Sequence, residues 1–344
     1  MLSTVTRRRA AHALATLVSA VLVLTACGSG SSGDQGEEAA RSGGPSEVTL
    51  AGAYGKTTVP VTDRKVWALD PRTATELLTI GVTPTHSGTY SYKGDAAFEA
   101  RHRLLADEGV ELVAPDRVER ILQAQPALII GEQSPSTDEL LDDLKKIAPV
   151  LITPASAPWE KSLHLLGRAT GHSSAVKAVI DHLDREIATT KGDLAQAGLA
   201  GRTVSLMSAC GDGTFCAYGS SRTAGPVLTD LGFKRPATHG QNRTGLEYGY
   251  TSVSEEKLGE LVAPIVFVLS GSVQYGAPDP LDNPLFEVGD STVGAVDFAA
   301  WYGSGAFDVP WVLRDVRAVL LGDGTVTDEK SGVQLFDELR KATA

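Results

Sequence analysis

Between Ser173 and Gln196 the apolar residues Val176, Ile180, Leu183, Ile187 and Leu194 recur mostly at spacings of three and four, with Lys177, Asp184, Arg185 and Lys191 between them. This is the stripe of an amphipathic helix, with Ser173 as the expected N-cap after a Gly171-His172 break. At 1.5 Å per residue it would run about 36 Å. Before it, the stretches 66–69, 83–86, 111–114, 127–130 and 150–153 read as short strands, the first and fourth of them continuous apolar runs. Helical patterns fall between them: Asp70-Pro71 opens one carrying Ala74, Leu77, Leu78 and Ile80, Asp116 caps one carrying Val118, Ile121 and Leu122, and a third covers 137–147. After the long helix the alternation resumes, with strands at 203–207, 265–269 and 293–298 and helices at 222–231, 311–321 and 333–339. Continuous apolar strands between amphipathic helices imply parallel sheets covered on both faces. A rigid helix joining two such α/β lobes predicts a clamp. An ordinary surface helix of one domain is the alternative, and strand–helix units on both sides favour the clamp.

The first 26 residues carry Arg7-Arg8-Arg9 and an apolar run from His12 to Leu24 that is too short to span a bilayer. Leu24-Thr25-Ala26-Cys27 then resembles the lipobox of bacterial lipoproteins, which implies lipidation of Cys27; several acyl chains anchor stably where one binds only marginally. A plain signal peptide with an incidental cysteine is the alternative. Residues 27–46 are Gly-, Ser- and acid-rich and read as a flexible tether. Within them Gly28, Gly30 and Gly33 spell G-x-G-x-x-G, but no strand precedes it and no helix follows, so it is no nucleotide loop.

Removing a leader with three arginines and no acid takes the formal charge from −11 to −14. That argues against nucleic acid or an anionic surface as partner. Beyond Cys27 only Cys210 and Cys216 remain, separated by a Gly-rich turn between strand-like runs. Outside the reducing cytosol these two are expected to bridge and pin a hairpin, two free thiols being the alternative.

Catalytic patterns fare poorly. Ser254 and Lys257 match S-x-x-K, but neither S-D-N nor K-T-G occurs, and G-x-S-x-G is absent. His86, His102, His164, His172, His182 and His239 are scattered, which disfavours direct capture of a bare metal.

An ordered set of segments resembles the periplasmic-type substrate-binding lipoproteins of siderophore ABC importers. They are residues 66–70 (VWALD) with 75–78 (TELL), 120–122 (RIL) with 125–131 (QPALIIG), 146–150 (KIAPV), 166–169 (LGRA), 224–233 (AGPVLTDLGF) and 253–258 (VSEEKL). The resemblance covers about 47 to 320. It implies two Rossmann-like α/β lobes joined by a single long backbone helix: an N-terminal lobe at 47–160, a crossover at 161–198 and a C-terminal lobe at 199–344. It also implies permease-docking glutamates on the two lobes, here Glu76 and Glu256, with Glu255 the neighbour of the latter.

In such clamps ligand contacts come from loops facing the gap. The candidates are Tyr90, Tyr92, Trp159, Tyr218, Arg222, Tyr248, Tyr250, Tyr275, Trp301 and Tyr302, with Arg103 and Arg117 as lesser ones. Aromatic walls suit a bulky metal chelate. One well-placed arginine and an acidic chain tilt the expectation toward a neutral or cationic hydroxamate-type chelate.

The expected protein is thus a lipid-anchored monomer on the outer face of the cell membrane. It would capture a ferric siderophore and hand it to an ABC permease, with no cofactor and no catalytic residue. A corrinoid or haem binder of the same fold is the alternative, and an exported hydrolase or a structural surface lipoprotein are readings from other classes.

Overall fold

Two five-stranded sheets, one before and one after the long helix, carry the architecture. The computed structural model describes residues 46–89, 94–114, 118–211, 213–239, 249–271 and 279–344. The leader, Cys27, nearly all of the tether, and Tyr90, Tyr92, Arg117, Tyr248 and Tyr275 lie outside these residues.

A hairpin that the sequence reading did not contain comes first: β1 (Glu47–Gly52) pairs antiparallel with β2 (Gly55–Pro60). Its alternation buries Leu50 and Val59. Within its turn, the Ala53 N–H donates 2.8 Å to the Ile152 carbonyl. The first sheet holds β3 (Val66–Ala68), β4 (His86–Gly88), β5 (Glu111–Val113), β6 (Leu128–Glu132) and β7 (Val150–Thr153). Their order is β5-β4-β3-β6-β7 and every pairing is parallel. Its helices are α1 (Pro71–Thr79), α2 (Ala96–Asp107), α3 (Val118–Ala124), α4 (Pro135–Ile147) and α5 (Trp159–Thr170).

The long helix α6 spans Ser173–Gln196, as the periodicity predicts. Its cap differs: His172 takes the N-cap position without a side-chain bond, and Ser173 is already helical. Val176, Val179, Leu183, Ile187, Thr190 and Leu194 form the buried face, with Ile180 at its margin.

The second sheet contains β8 (Val204–Gly211), β9 (Thr214–Tyr218), β10 (Tyr250–Ser254), β11 (Ile265–Ser270) and β12 (Thr292–Asp297), in the order β10-β9-β8-β11-β12. Here β8, β11 and β12 are parallel, but β9 runs antiparallel to both its neighbours, β8 and β10, because the turn after β8 returns the chain immediately as a hairpin. The remaining helices are α7 (Ala224–Asp230), α8 (Phe298–Trp301), α9 (Asp308–Leu321) and α10 (Glu329–Thr343), and α6 packs on α5, α9 and α10. Among the described residues no helix is long and apolar enough to cross a membrane.

Buried charge fastens the two halves beneath the sheets. Arg101 on α2 and Asp308 on α9 form an ion pair whose side chains are both 1% exposed. Glu76 on α1 accepts the N–H groups of Ala306 at 2.7 Å and Phe307 at 3.0 Å, just ahead of α9. Gly305 makes this approach possible, since a Cβ there would collide with the Glu76 carboxylate. Asp297 accepts the Ala96 N–H at the head of α2, 2.6 Å away.

Candidate functional site

The strand ends of both sheets frame a cleft of about 410 Å³, within the usual range for a small-molecule site. The first half supplies Arg72 and Phe98 and the turn from Glu132 to Ser136. Local capping sets this side. Asp70 caps α1 by accepting the Thr73 N–H at 2.8 Å, and also accepts the Glu132 N–H at 3.1 Å, so one buried carboxyl ties the ends of β3 and β6 together. Burial, with Glu132 nearby, holds its pKa above the ordinary value. Ser134 then caps α4, with Pro135 in the first turn.

The second half contributes an aromatic wall. Tyr218 at the end of β9 pairs in register with Tyr250 at the start of β10, placing the rings 6.1 Å apart, edge to face. Phe298 and Tyr302 stand one helical turn apart, with ring centroids at 5.1 Å; the Asp297 side chain caps this turn by accepting the Ala300 N–H at 2.9 Å. Tyr302 lies 5.4 Å from Tyr218, which closes the cluster. Such rings bury large area at low rotamer cost.

Two guanidinium groups sit on this wall. Arg222 lies 3.8 Å over the Tyr302 ring, and Arg72 lies 5.2 Å over Phe98 and 6.0 Å over Tyr302. Arg222 also reaches across the cleft, donating 3.2 Å to Glu132 Oε1 and 3.2 Å to the Tyr302 carbonyl. Its backbone has φ +60°, a conformation few non-glycine residues adopt and one that often marks functional positions. The expected helix from 222 therefore starts only at Ala224. Burial raises the Tyr302 pKa, so this phenol is neutral at physiological pH.

Among the described residues no cluster of His, Cys, Asp and Glu could hold a metal ion. A second hollow of about 420 Å³ lies against α6, α9 and α10. Its described lining holds no Phe, Tyr or Trp, and its Arg317 is already paired with Asp193 and Asp323, so the aromatic and arginine side chains of the cleft between the sheets offer the fuller ligand chemistry.

Residues 66–286 match the family described as Periplasmic binding protein, which takes in more than half of the sequence. The chain belongs to that family. This is a family of extracytoplasmic binding proteins, not of enzymes. Among solved structures, the FhuD protein from S. pseudintermedius shares 19% identity at a TM-score of 0.65, covering 80% of this chain and 98% of its own. FhuD2 from Staphylococcus aureus with bound ferrioxamine B shares 18% at 0.59, covering 81% and 99%. The periplasmic catecholate-siderophore binding protein VctP from Vibrio cholerae shares 18% at 0.59, covering 80% and 100%. At such identities the likeness is one of fold. No curated protein matches the sequence significantly.

Of the expected ligand contacts that are described, this binding protein gathers Tyr218, Arg222, Tyr250 and Tyr302 on the cleft. Two tryptophans require correction. Trp159 is fully buried in the core at the head of α5. Trp301 packs 4.6 Å from Phe267 and donates its indole N–H 2.7 Å to Asp315. Arg103 lies away from the cleft and pairs with Glu329 at 3.6 Å. Glu76 is also corrected: the exposed charge expected there is a buried carboxylate engaged by two backbone donors. Burial, then Asp308, pushes its pKa up to about 7. Glu256 is exposed in the 3-10 turn Glu255–Leu261, and its neighbour Glu255 accepts from Asn283 at 2.7 Å. Sequence reasoning missed Arg72, Phe98, Glu132 and the 133–136 turn. The rule that ligands meet the carboxyl ends of parallel strands would have found Arg72 after β3 and Glu132 at the end of β6.

Proposed function

We propose that this binding protein captures a ferric siderophore in the cleft between its sheets and delivers it to an ABC importer permease. The reading rests chiefly on one observation: an aromatic wall in which Arg222 is paired with Glu132, so the cleft carries little net charge. Among the described lining residues, Arg72 and Arg222 are positive and Glu132 is negative. A ferric trihydroxamate has a neutral iron centre, three single negative charges balancing Fe³⁺. A tricatecholate keeps a charge of −3, and a described lining of two arginines and one glutamate is a poor match for it in a desolvated site. The hydroxamate class is therefore favoured. The ferrioxamine B held by FhuD2 belongs to this class and supports the choice; VctP is the contrary case.

Delivery is assigned to the outer face of the second lobe, around the exposed Glu256, and anchoring to lipidated Cys27. Both follow from the sequence resemblance. Equilibrium titration of the purified protein with ferrioxamine B and with a ferric tricatecholate tests the ligand class. Tighter binding of ferrioxamine B, weakly dependent on salt, is the expected result; tight, steeply salt-dependent tricatecholate binding with no hydroxamate binding would overturn it.

A further inference from the structure

Cys210 and Cys216 form a disulfide with Cα atoms 5.4 Å apart. Its position is unusual for a staple, because both cysteines line the ligand cleft beside Tyr218 and Tyr250. The strand pattern explains why. On β9, Cys216 and Tyr218 lie two residues apart and share one face, while Phe215 and Ala217 face the opposite core with Met207 and Ala209. Cys216 pairs with Ser208 on one side and Ser252 on the other, in the middle of the sheet.

Cys210 stands where the β8–β9 register shifts, between Ala209 opposite Phe215 and Gly211 opposite Thr214. It is the extra residue of a bulge, and a bulge leaves its extra residue outside the ladder. The sulfur–sulfur bond ties this residue to the neighbouring strand. Cys216 is 1% exposed and Cys210 partly exposed, so a thiol reaches the bond from the side of Cys210, through the cleft.

We propose that the Cys210–Cys216 disulfide is an affinity-setting wall of the ligand cleft, coupled to its redox state: oxidised, it holds the bulge against the chelate; reduced, the wall relaxes and affinity falls. The proposal rests on the cleft being the ligand site. The co-reactant is a dithiol. One of its thiolates attacks the Cys210 sulfur, the Cys216 thiolate leaves, and the second thiol resolves the mixed disulfide. Two electrons and two protons pass to the protein, giving two cysteine thiols and a cyclic disulfide of the reductant. Because binding and reduction act on one wall, they are reciprocal: the factor by which reduction weakens binding is the factor by which ligand disfavours reduction.

The test uses the purified Cys27→Ser protein and the gallium(III) complex of desferrioxamine B, which dithiothreitol does not reduce. Calorimetry gives its affinity for the oxidised protein and for the protein reduced by dithiothreitol, with circular dichroism on both. Thiol titration follows the rate of disulfide reduction with and without saturating complex. The expected result is a folded reduced protein whose affinity is at least fivefold weaker, and reduction at least fivefold slower when the complex is bound. Equal affinity in both redox states with an unprotected disulfide would overturn the proposal and leave the ligand reading standing. Unfolding on reduction would overturn it too, making the bond a simple staple. Failure of the oxidised protein to bind the complex would overturn the hydroxamate reading, and the proposal with it.

Discussion

The guanidinium of Arg222 and the carboxylate of Glu132 meet at 3.2 Å across the cleft, joining the turn before α7 to the end of β6. The pair holds the two sides together and cancels a charge that an anionic ligand would otherwise meet. Glu132→Gln keeps the shape and removes the negative charge. It should favour anionic chelates over neutral ones, raising the tricatecholate-to-hydroxamate affinity ratio about tenfold, roughly 1.4 kcal/mol. Calorimetry on both ligand classes checks this, and an unchanged ratio would separate the pair from selectivity.

The base of the clamp should respond differently. Arg101→Met leaves Asp308 buried without its partner and should cost about 3–5 kcal/mol of stability in urea denaturation. Glu76→Ala strands the N–H groups of Ala306 and Phe307 and should cost about 1–3 kcal/mol. A cost of only a few tenths for Glu76→Ala would return this residue to the surface role that its sequence motif suggests.

Several buried carboxyls give stability a definite pH dependence. The Asp95 side chain, just ahead of α2, is buried with no hydrogen-bond partner among the described residues. Burial pushes its pKa up to about 7, with Asp297 adding to the effect and Arg72 and Arg101 opposing it. Glu76 stands at about 7 and Asp315 at about 6, each chiefly through burial. An acid whose pKa is higher folded than unfolded holds more protons in the folded state, so its contribution is lost as pH rises. Thermal unfolding should therefore come several degrees lower at pH 8 than at pH 5.5, and Asp95→Asn should narrow the difference. A midpoint that rises with pH over this window would contradict the assignment.

Delivery and capture should separate at Glu256. Glu256→Ala removes an exposed charge, so stability should change by about 0.5 kcal/mol or less and ligand affinity should not move. Iron uptake in cells should fall, since the permease loses an orienting contact. Cys27→Ser should likewise leave binding intact while releasing the protein from the membrane fraction. Normal uptake with Glu256→Ala, or membrane retention of Cys27→Ser, would remove the corresponding role.

The sequence made the scaffold legible because its strongest signals are local and periodic. Helix α6 and the buried strands β6 and β11 announce themselves through burial that repeats along the chain. The β1–β2 hairpin was missed because its short alternation buries few residues. The site was half legible. Tyr218, Tyr250 and Tyr302 carry aromatic rings at loop junctions, whereas Trp159 and Trp301 look alike in sequence but fill the core. The partners of Glu76 and Glu132 were beyond local reasoning, since they lie 230 and 90 residues away.

The central claim is tested most directly at Tyr302, where Arg222, Arg72, Tyr218 and Phe298 converge. Calorimetric titration of ferrioxamine B into the wild-type protein and into Tyr302→Ala, with folding checked by circular dichroism, gives two dissociation constants. The account predicts 1:1 binding to the wild type and at least tenfold weaker binding to the variant, a loss of about 1.4 kcal/mol or more. Equal affinity in the two folded proteins would place the ligand elsewhere and contradict it.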